Sequence, residues 1–361
     1  MAPDQVAGPV PDGHDRPEEV RRPEGSGRVV VVGSLNHDVV AAVPRWLAPG
    51  ETLLATGLVR GNGGKGGNQA IAAALVGAPV TMVGAVGADL EGEAQSRELS
   101  AHGIDTTSLL ASVDVPTSLA LVTVVPDGEN TIVVTPGAND LLTRERVGEL
   151  LDGLHRADRS GVGPAPGSRP GADVALVLAQ SEIGAPGCDA AATFAVRVGA
   201  RFVLSNGPVA AVSRDTWAAC DPVVVNVHEA RDVLRSHGVV TDAVADDGLA
   251  RAVREATGAR SVVVTLGRHG SVVGPVDRDP TGAAARVGGE GAQGAEAEVY
   301  VHVAAERAAS VVDTTGAGDA YGGTLAARLA LGATLVEACR SGSRAGALAV
   351  GWVGARPPSE G

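Results

Sequence analysis

The chain is built from short, unbroken apolar runs separated by stretches of helical length. Residues 29–32, 80–86, 174–178, 202–204, 223–225 and 261–264 are continuous apolar runs, or nearly so, without polar alternation. Runs of this kind suit strands buried on both faces. Alanine- and leucine-rich stretches between them, such as those ending near Val76 and Leu331, suit helices. This alternation predicts an α/β fold with a mostly parallel sheet between two helical layers. Most of the runs exit into polar residues. They are Gly33-Ser34-Leu35-Asn36-His37-Asp38, Ala179-Gln180-Ser181-Glu182, Ser205-Asn206-Gly207-Pro208, Asn226-Val227-His228-Glu229 and Thr265-Leu266-Gly267-Arg268-His269-Gly270. A parallel sheet gathers such exits at one edge, where α/β proteins bind ligands. One polar exit alone is ordinarily structural; several at one edge predict a site. On an extended backbone Asn36 and Asp38 point the same way and His37 the other, so His37 is assigned a structural role.

The pattern changes at 115–137. Two β-rich arms, 118–125 and 131–135, flank Asp127-Gly128 and predict a hairpin. Leu119 and Leu121 fall on one face, Ala120, Val122 and Val124 on the other, and Ile132-Val133-Val134 repeats the two-sided apolarity. A flap with one wet face would alternate, so a second copy of the chain is predicted to cover the outer face. Residues 47–61 hold Pro49-Gly50 and a short strand. Residues 1–27 are rich in Pro, Gly and charge and predict a disordered tail before one domain, 28–361. Segments 159–171 and 281–298 are Gly, Ala and Pro rich and read as inserted loops.

The most concentrated chemistry lies in Asp313-Thr314-Thr315-Gly316-Ala317-Gly318-Asp319-Ala320-Tyr321-Gly322-Gly323. An apolar run, 308–312, leads in; a helical pattern leads out and stops at Gly332. The stretch therefore reads as a loop opening a helix. Gly316 and Gly318 admit a ligand close to the backbone. Amides of Gly316, Ala317 and Gly318 at a helix N-terminus form an anion site. Asp319 at its rim is either an ordinary acid near a helix dipole or a base that takes a hydroxyl proton while the amides hold a phosphoryl group.

Composition narrows the partners. A net charge of −13 argues against nucleic acid and anionic membrane surfaces. No apolar run reaches membrane-spanning length. The N-terminus lacks an apolar signal core. Cys188, Cys220 and Cys339 have no ligand spacing and read as small core residues in a reducing cytoplasm. Lys65 is the chain's only lysine and sits in Gly61-Asn62-Gly63-Gly64-Lys65-Gly66-Gly67-Asn68-Gln69. Gly61, Gly63 and Gly66 satisfy G-x-G-x-x-G. A dinucleotide oxidoreductase would need an acid at the end of the next strand, which ends in Ala85-Val86-Gly87. A P-loop would need Ser or Thr after Lys65. What remains is a glycine loop presenting the Gly64 amide, the Lys65 ammonium and the Asn68 amide, a set that suits a polyol.

Two motifs together resemble the PfkB carbohydrate kinase family, from about Arg28 to Ser359. One is Gly63-Gly64-Lys65-Gly66-Gly67-Asn68-Gln69 running to Gly84-Ala85-Val86-Gly87-Ala88-Asp89-Leu90-Glu91-Gly92; the other is Asp313 to Asp319. With Asn36-His37-Asp38 upstream, the resemblance is to the ribokinase branch more than to fructokinase or adenosine kinase. It implies a ribokinase-like three-layer fold with a small β lid made of 47–61 and 115–137. The implied activity is ATP-dependent phosphorylation of D-ribose at the 5-hydroxyl. The resemblance puts the sugar on Asn36, Asp38, Gly64, Lys65, Asn68 and Glu182. It makes Asp319 the base, beside the anion hole of Gly316, Ala317 and Gly318. Asn206, Thr265, Leu266, Gly267, Arg268, His269, Gly270, Gly318 and Ser343 would line ATP. Asn226 and Glu229, as N-x-x-E, would organise Mg2+. Asp313, Thr315, Ala349, Trp352 and Gly354 would hold K+. A homodimer through the lid is implied too.

Two departures stand out. Ser343 replaces the Asn or His often found beside adenine, and the chain ends soon after Pro357-Pro358-Ser359, where a last helix and a final cation ligand are expected. Other substrates within the family are deoxyribose, fructose or a nucleoside. A catalytically silent sugar-binding regulator is the alternative of another class, but would not need Asp319 together with Asn226 and Glu229.

Overall fold

The computed structural model describes residues 27–126, 129–160, 174–276, 285–286 and 298–357. The N-terminal stretch to residue 26, the predicted turn Asp127-Gly128, most of both predicted inserted loops and Pro358-Ser359 lie outside the described residues.

The chain opens with β1 (Arg28–Val32), β2 (Asn36–Ala42) and β3 (Gly57–Gly63), then α1 (Lys65–Leu75), β4 (Val80–Gly87), α2 (Leu90–Ala101) and β5 (Asp105–Ser112). After these come β6 (Ser118–Val124), β7 (Asn130–Thr135), α3 (Arg144–Ser160), β8 (Val174–Gln180), α4 (Gly184–Val198), β9 (Arg201–Ser205), α5 (Arg214–Ala219) and β10 (Cys220–Asn226). The rest is α6 (Val227–Ser236), α7 (Leu249–Thr257), β11 (Val262–Thr265), β12 (Ser271–Val276), β13 (Ala285–Arg286), β14 (Val299–Val303), α8 (Ala317–Ala330) and α9 (Leu335–Ala349).

The strands form two sheets. The larger has the order β13-β14-β12-β11-β10-β9-β8-β1-β4-β5, with seven strands from β11 to β5 parallel and the other edge antiparallel. Continuous valine runs suit its centre because both faces are covered. Val30 and Val32 of β1 enter one apolar cluster with residues of α3, α4, α6 and α7; Val29 and Val31 enter the other with α1, α8 and α9. Cys188, Cys220 and Cys339 are buried and unpaired, as the sequence predicts.

β1 sits where the strand order reverses, between β4 and β8. The crevice above such a reversal is where open α/β sheets bind ligands. Two helices close it. α1 and α8 approach at backbone distance, because a Cβ on Gly323 would lie 2.2 Å from the Gln69 carbonyl oxygen. That contact sets Asp319, near the start of α8, against the first turn of α1. α8 begins at Ala317, inside the motif read as a loop opening a helix, and ends before Gly332, which takes a left-handed φ of 88°.

The second sheet has the order β3-β2-β6-β7. β6 and β7 are the predicted hairpin. Its other half differs from the sequence reading in two ways. The strand from the 47–61 segment is β3, beginning only at Gly57. Asn36 to Asp38, read as the end of a polar strand exit, instead open β2 (Asn36–Ala42), one of the sheet's two inner strands, which pairs with β3 antiparallel and with β6 parallel. The break at Gly33–Leu35 ends β1 and redirects the chain into this second sheet. Among the described residues no helix is long and apolar enough to cross a membrane.

Candidate active site

The glycine loop is shaped by close backbone contacts. Gly64 caps α1 with φ 88°, and a Cβ there would lie 2.7 Å from the Ser34 carbonyl oxygen. A Cβ on Gly66 would lie 2.6 Å from the Gly33 carbonyl carbon. Only glycine allows the N-terminus of α1 to settle onto the turn after β1. This brings Lys65, Asn68 and Gln69 over the sheet edge.

Asp319 is held from α1 by two amides. Asn68 Nδ2 donates to Oδ2 and Gln69 Nε2 donates to Oδ1, both at 2.9 Å. Gln69 is fixed in turn by Gln180 Nε2, which donates to its Oε1 at 2.8 Å. The carboxylate is therefore oriented by side-chain donors and is 9% exposed. Facing it are Asp38 on β2, Glu182 just beyond β8, and Lys65. Glu182 accepts from Ser34 Oγ at 2.5 Å and lies 4.0 Å from Lys65 Nζ. Asn36 is buried and accepts at Oδ1 from Asn139 Nδ2, 2.9 Å away.

Charges gathered out of water move the titrations. Burial lifts Asp38 to about 6, helped by Glu182 and Asp319 and opposed by Arg356. Burial works against the Lys65 ammonium, but Asp319, Glu182 and Glu229 outweigh it and raise its pKa above the ordinary lysine value. Burial raises Glu229 against the Asn226 amide and Lys65, which both lower it.

The loop before α8 is locked to the loop after α9. Gly316 takes φ 76°, and its Cβ position lies 2.5 Å from Ala355 Cα. Asp313 accepts at Oδ1 from the Thr315 amide and at Oδ2 from the Gly354 amide, both at 2.9 Å. Burial opposes these bonds, yet they hold the Asp313 carboxyl below its usual value. The α8 N-terminus presents amides with no intrahelical acceptor; of the three in the predicted anion hole, that of Ala317 also donates to the Thr314 carbonyl at 3.3 Å. Thr315 and Gly354 lie in these two loops, Trp352 is half-buried beside Gly354, and buried Ala349 ends α9.

The predicted nucleotide and magnesium residues lie further along the same edge. Asn206 is fully buried; its Oδ1 accepts from the Ala210 amide at 2.9 Å, and its Nδ2 has no partner among the described residues. Asn226 and Glu229 form a capping box on α6, at 2.9 and 2.8 Å. That box uses one oxygen of each side chain and leaves Glu229 Oε1 beside Gly207. No group of three metal-ligating side chains occurs among the described residues. Asn226 and Glu229 therefore fit a magnesium ion held chiefly by substrate phosphates and water, and do not form a metal cage. Thr265 ends β11, Leu266 is half-buried, Gly267, Arg268 and His269 are exposed in a short turn, and Gly270 is buried at φ 91°. Ser343 Oγ accepts the Glu306 amide at 2.8 Å, so this side chain anchors the segment after β14.

Several residues of the site carry no sequence signal of their own. Gln69 and Ser34 stand inside the motifs without an assigned role. Asn139 comes from the turn after the hairpin. Gln95 and Glu98 come from α2, and Arg356 from the C-terminal loop.

Comparison with known proteins agrees with the geometry. The model of the pfkB family carbohydrate kinases matches residues 26–360. A ribokinase of Haemophilus influenzae is 29% identical over 91% of this chain and 94% of its own length. A deoxyribokinase of Salmonella typhi is 27% identical over 82% and 84%. The structure of an Arabidopsis thaliana ribokinase complexed with ribose and ATP superposes with a TM-score of 0.69 at 25% identity, over 91% of this chain and 94% of that one.

Proposed function

The chain belongs to the pfkB family of carbohydrate kinases, and on that premise we propose that it transfers the γ-phosphoryl group of ATP to the 5-hydroxyl of D-ribose. The observation that carries this reading is the two-amide grip on Asp319 beside the α8 N-terminus, facing a polar crown of Asp38, Glu182 and Lys65. Asn36, Asp38 and Glu182 accept from sugar hydroxyls; Lys65, Asn68 and the Gly64 amide donate. Asp319 takes the proton of the 5-hydroxyl as that oxygen bonds to the γ-phosphorus. The bond from the γ-phosphorus to the β,γ-bridging oxygen breaks, and ADP leaves with the electron pair. The amides of Gly316, Ala317 and Gly318 stabilise charge on the transferring group.

Asn206, the 265–270 segment and Ser343 form the nucleotide side. Asn226 and Glu229 would hold a magnesium ion, which would supply positive charge to offset the phosphates. A potassium ion between the 313–315 and 349–354 loops would stiffen the anion hole, which those loops already brace. We place the enzyme in the cytoplasm as a homodimer joined through the lid. The deoxyribokinase relative keeps 2-deoxyribose as the second substrate reading.

Incubation with ATP, Mg2+ and D-ribose tests the proposal. The expected products are ribose 5-phosphate and ADP in equal amounts, formed faster with potassium than with sodium at equal ionic strength. ADP without a sugar phosphate would contradict the reaction; equal rates in the two salts would contradict the cation site.

A further inference from the structure

Arg356 is 8% exposed, although it lies in the loop after α9, just before the end of the described residues. Its guanidinium reaches three separate elements. Nε donates to Asn68 Oδ1 at 2.9 Å; Nη2 donates to the Gly63 carbonyl at 2.7 Å and to Gln95 Oε1 at 3.1 Å; Nη1 donates to Glu98, with which it forms an ion pair. Gly67 keeps the space open. A Cβ there would lie 2.3 Å from Nη2, so any side chain at 67 displaces the arginine.

The bond to Asn68 has a chemical consequence. A guanidinium only donates, so it must meet the amide oxygen. That leaves Nδ2 directed at Asp319 Oδ2. The carboxylate already favours this orientation over one that turns the amide oxygen toward it; the guanidinium at Oδ1 reinforces it and fixes the plane of the amide. A structural staple would need only the ion pair with Glu98. The Nε contact to Asn68 adds a second task.

We propose that Arg356 is a positioning residue for phosphoryl transfer: it fixes the orientation of Asn68 and through it the carboxylate of Asp319, with Gly67 as its clearance. The inference rests on Asp319 being the base.

The test is a set of steady-state measurements with ribose and ATP, each variant also examined by thermal melting. Arg356→Ala should lower kcat by roughly 10- to 100-fold, as a small misplacement of a catalytic group does, with a smaller change in KM. Arg356→Lys keeps the charge but loses the fork, so it should restore the melting temperature more than kcat. In an Asn68→Ala background, Arg356→Ala should change kcat by less than about twofold, because the two act in series. If Arg356→Ala does not fold, Gly67→Ala makes the comparison, since its Cβ would press mainly on the guanidinium (2.3 Å) and less closely on the Leu35 side chain (2.9 Å) while keeping the guanidinium's partner residues; the expected loss of kcat is about tenfold. Unchanged kcat in either folded single variant, or equal losses with and without Asn68, would overturn the proposal. Asp319→Asn separates the two readings. If it is inactive while Arg356→Ala turns over normally, only the role of Arg356 fails. If Asp319→Asn turns over normally, the base assignment itself fails.

Discussion

The two sheets are made of similar residues and are treated differently. The ten-stranded sheet buries Val29 to Val32 completely between helical layers. Among the described residues no helix layer packs on the outer part of the four-stranded sheet. Leu121, Val133 and Arg60 share one face with Val39; Val122, Ile132 and Val59 share the other with Val40. Of these, Ile132 is 53% exposed and Val133 57%. Both faces are apolar over most of the outer part, so a bound sugar could cover only part of one. The difference separates two tasks. The large sheet and α1 hold Asp319 rigidly, while the small sheet supplies Asn36 and Asp38 from a surface that still needs a cover.

The largest expected effect breaks the chemistry and leaves the lid intact. Asp319→Asn keeps the shape and can accept only one of the two donated hydrogen bonds, through its Oδ1, and it removes the proposed base. Turnover should fall roughly 10²- to 10⁴-fold, with ribose binding by calorimetry little changed. Near-normal turnover would place the base elsewhere.

The opposite change leaves the chemistry and breaks the lid. Val122→Asp with Val133→Asp places charge on both apolar faces. A dimer seen by sedimentation should become a monomer, and ribose affinity should weaken by about tenfold as the lid loses its support. A wild-type chain that sediments as a monomer at high micromolar concentration would rule out the lid dimer.

The smallest effect sits where the two regions meet. Asp38 is on the lid sheet and faces Glu182 beyond β8, Asp319 on α8 and Arg356 in the C-terminal loop, with a carboxyl raised to about 6. A raised carboxyl takes its proton at higher pH than an ordinary one. Below about 6 it loses an acceptor for the sugar, so kcat/KM should fall as pH drops through that value, by about tenfold per unit at the limit. Asp38→Asn should remove that limb. An unchanged limb would assign it to another group.

Much of this division is legible in the sequence. Unbroken valine runs and their polar exits mark the large sheet and its ligand edge, because burial on both faces leaves no alternation. Two glycine motifs mark the helix N-termini. The inner strand β2 is not legible: Asn36-His37-Asp38 continues a strand exit, and only pairing with β3 and β6 makes it a strand. Arg356 is hidden for another reason. It meets Asn68 across 288 residues of sequence, and nothing near either residue records the contact. Asn226 and Glu229 show the reverse: the motif is legible, but the capping box alone accounts for part of it.

The sugar itself decides the account most directly. ADP release should be measured across ribose, 2-deoxyribose, other pentoses, fructose and glucose at matched concentrations. A pocket of buried donors and acceptors rejects analogues that leave them unpaired, so ribose should show the highest kcat/KM, clearly above the hexoses. A preference for fructose or glucose would contradict the assignment of Asp38, Lys65 and Asn68 to a ribose site.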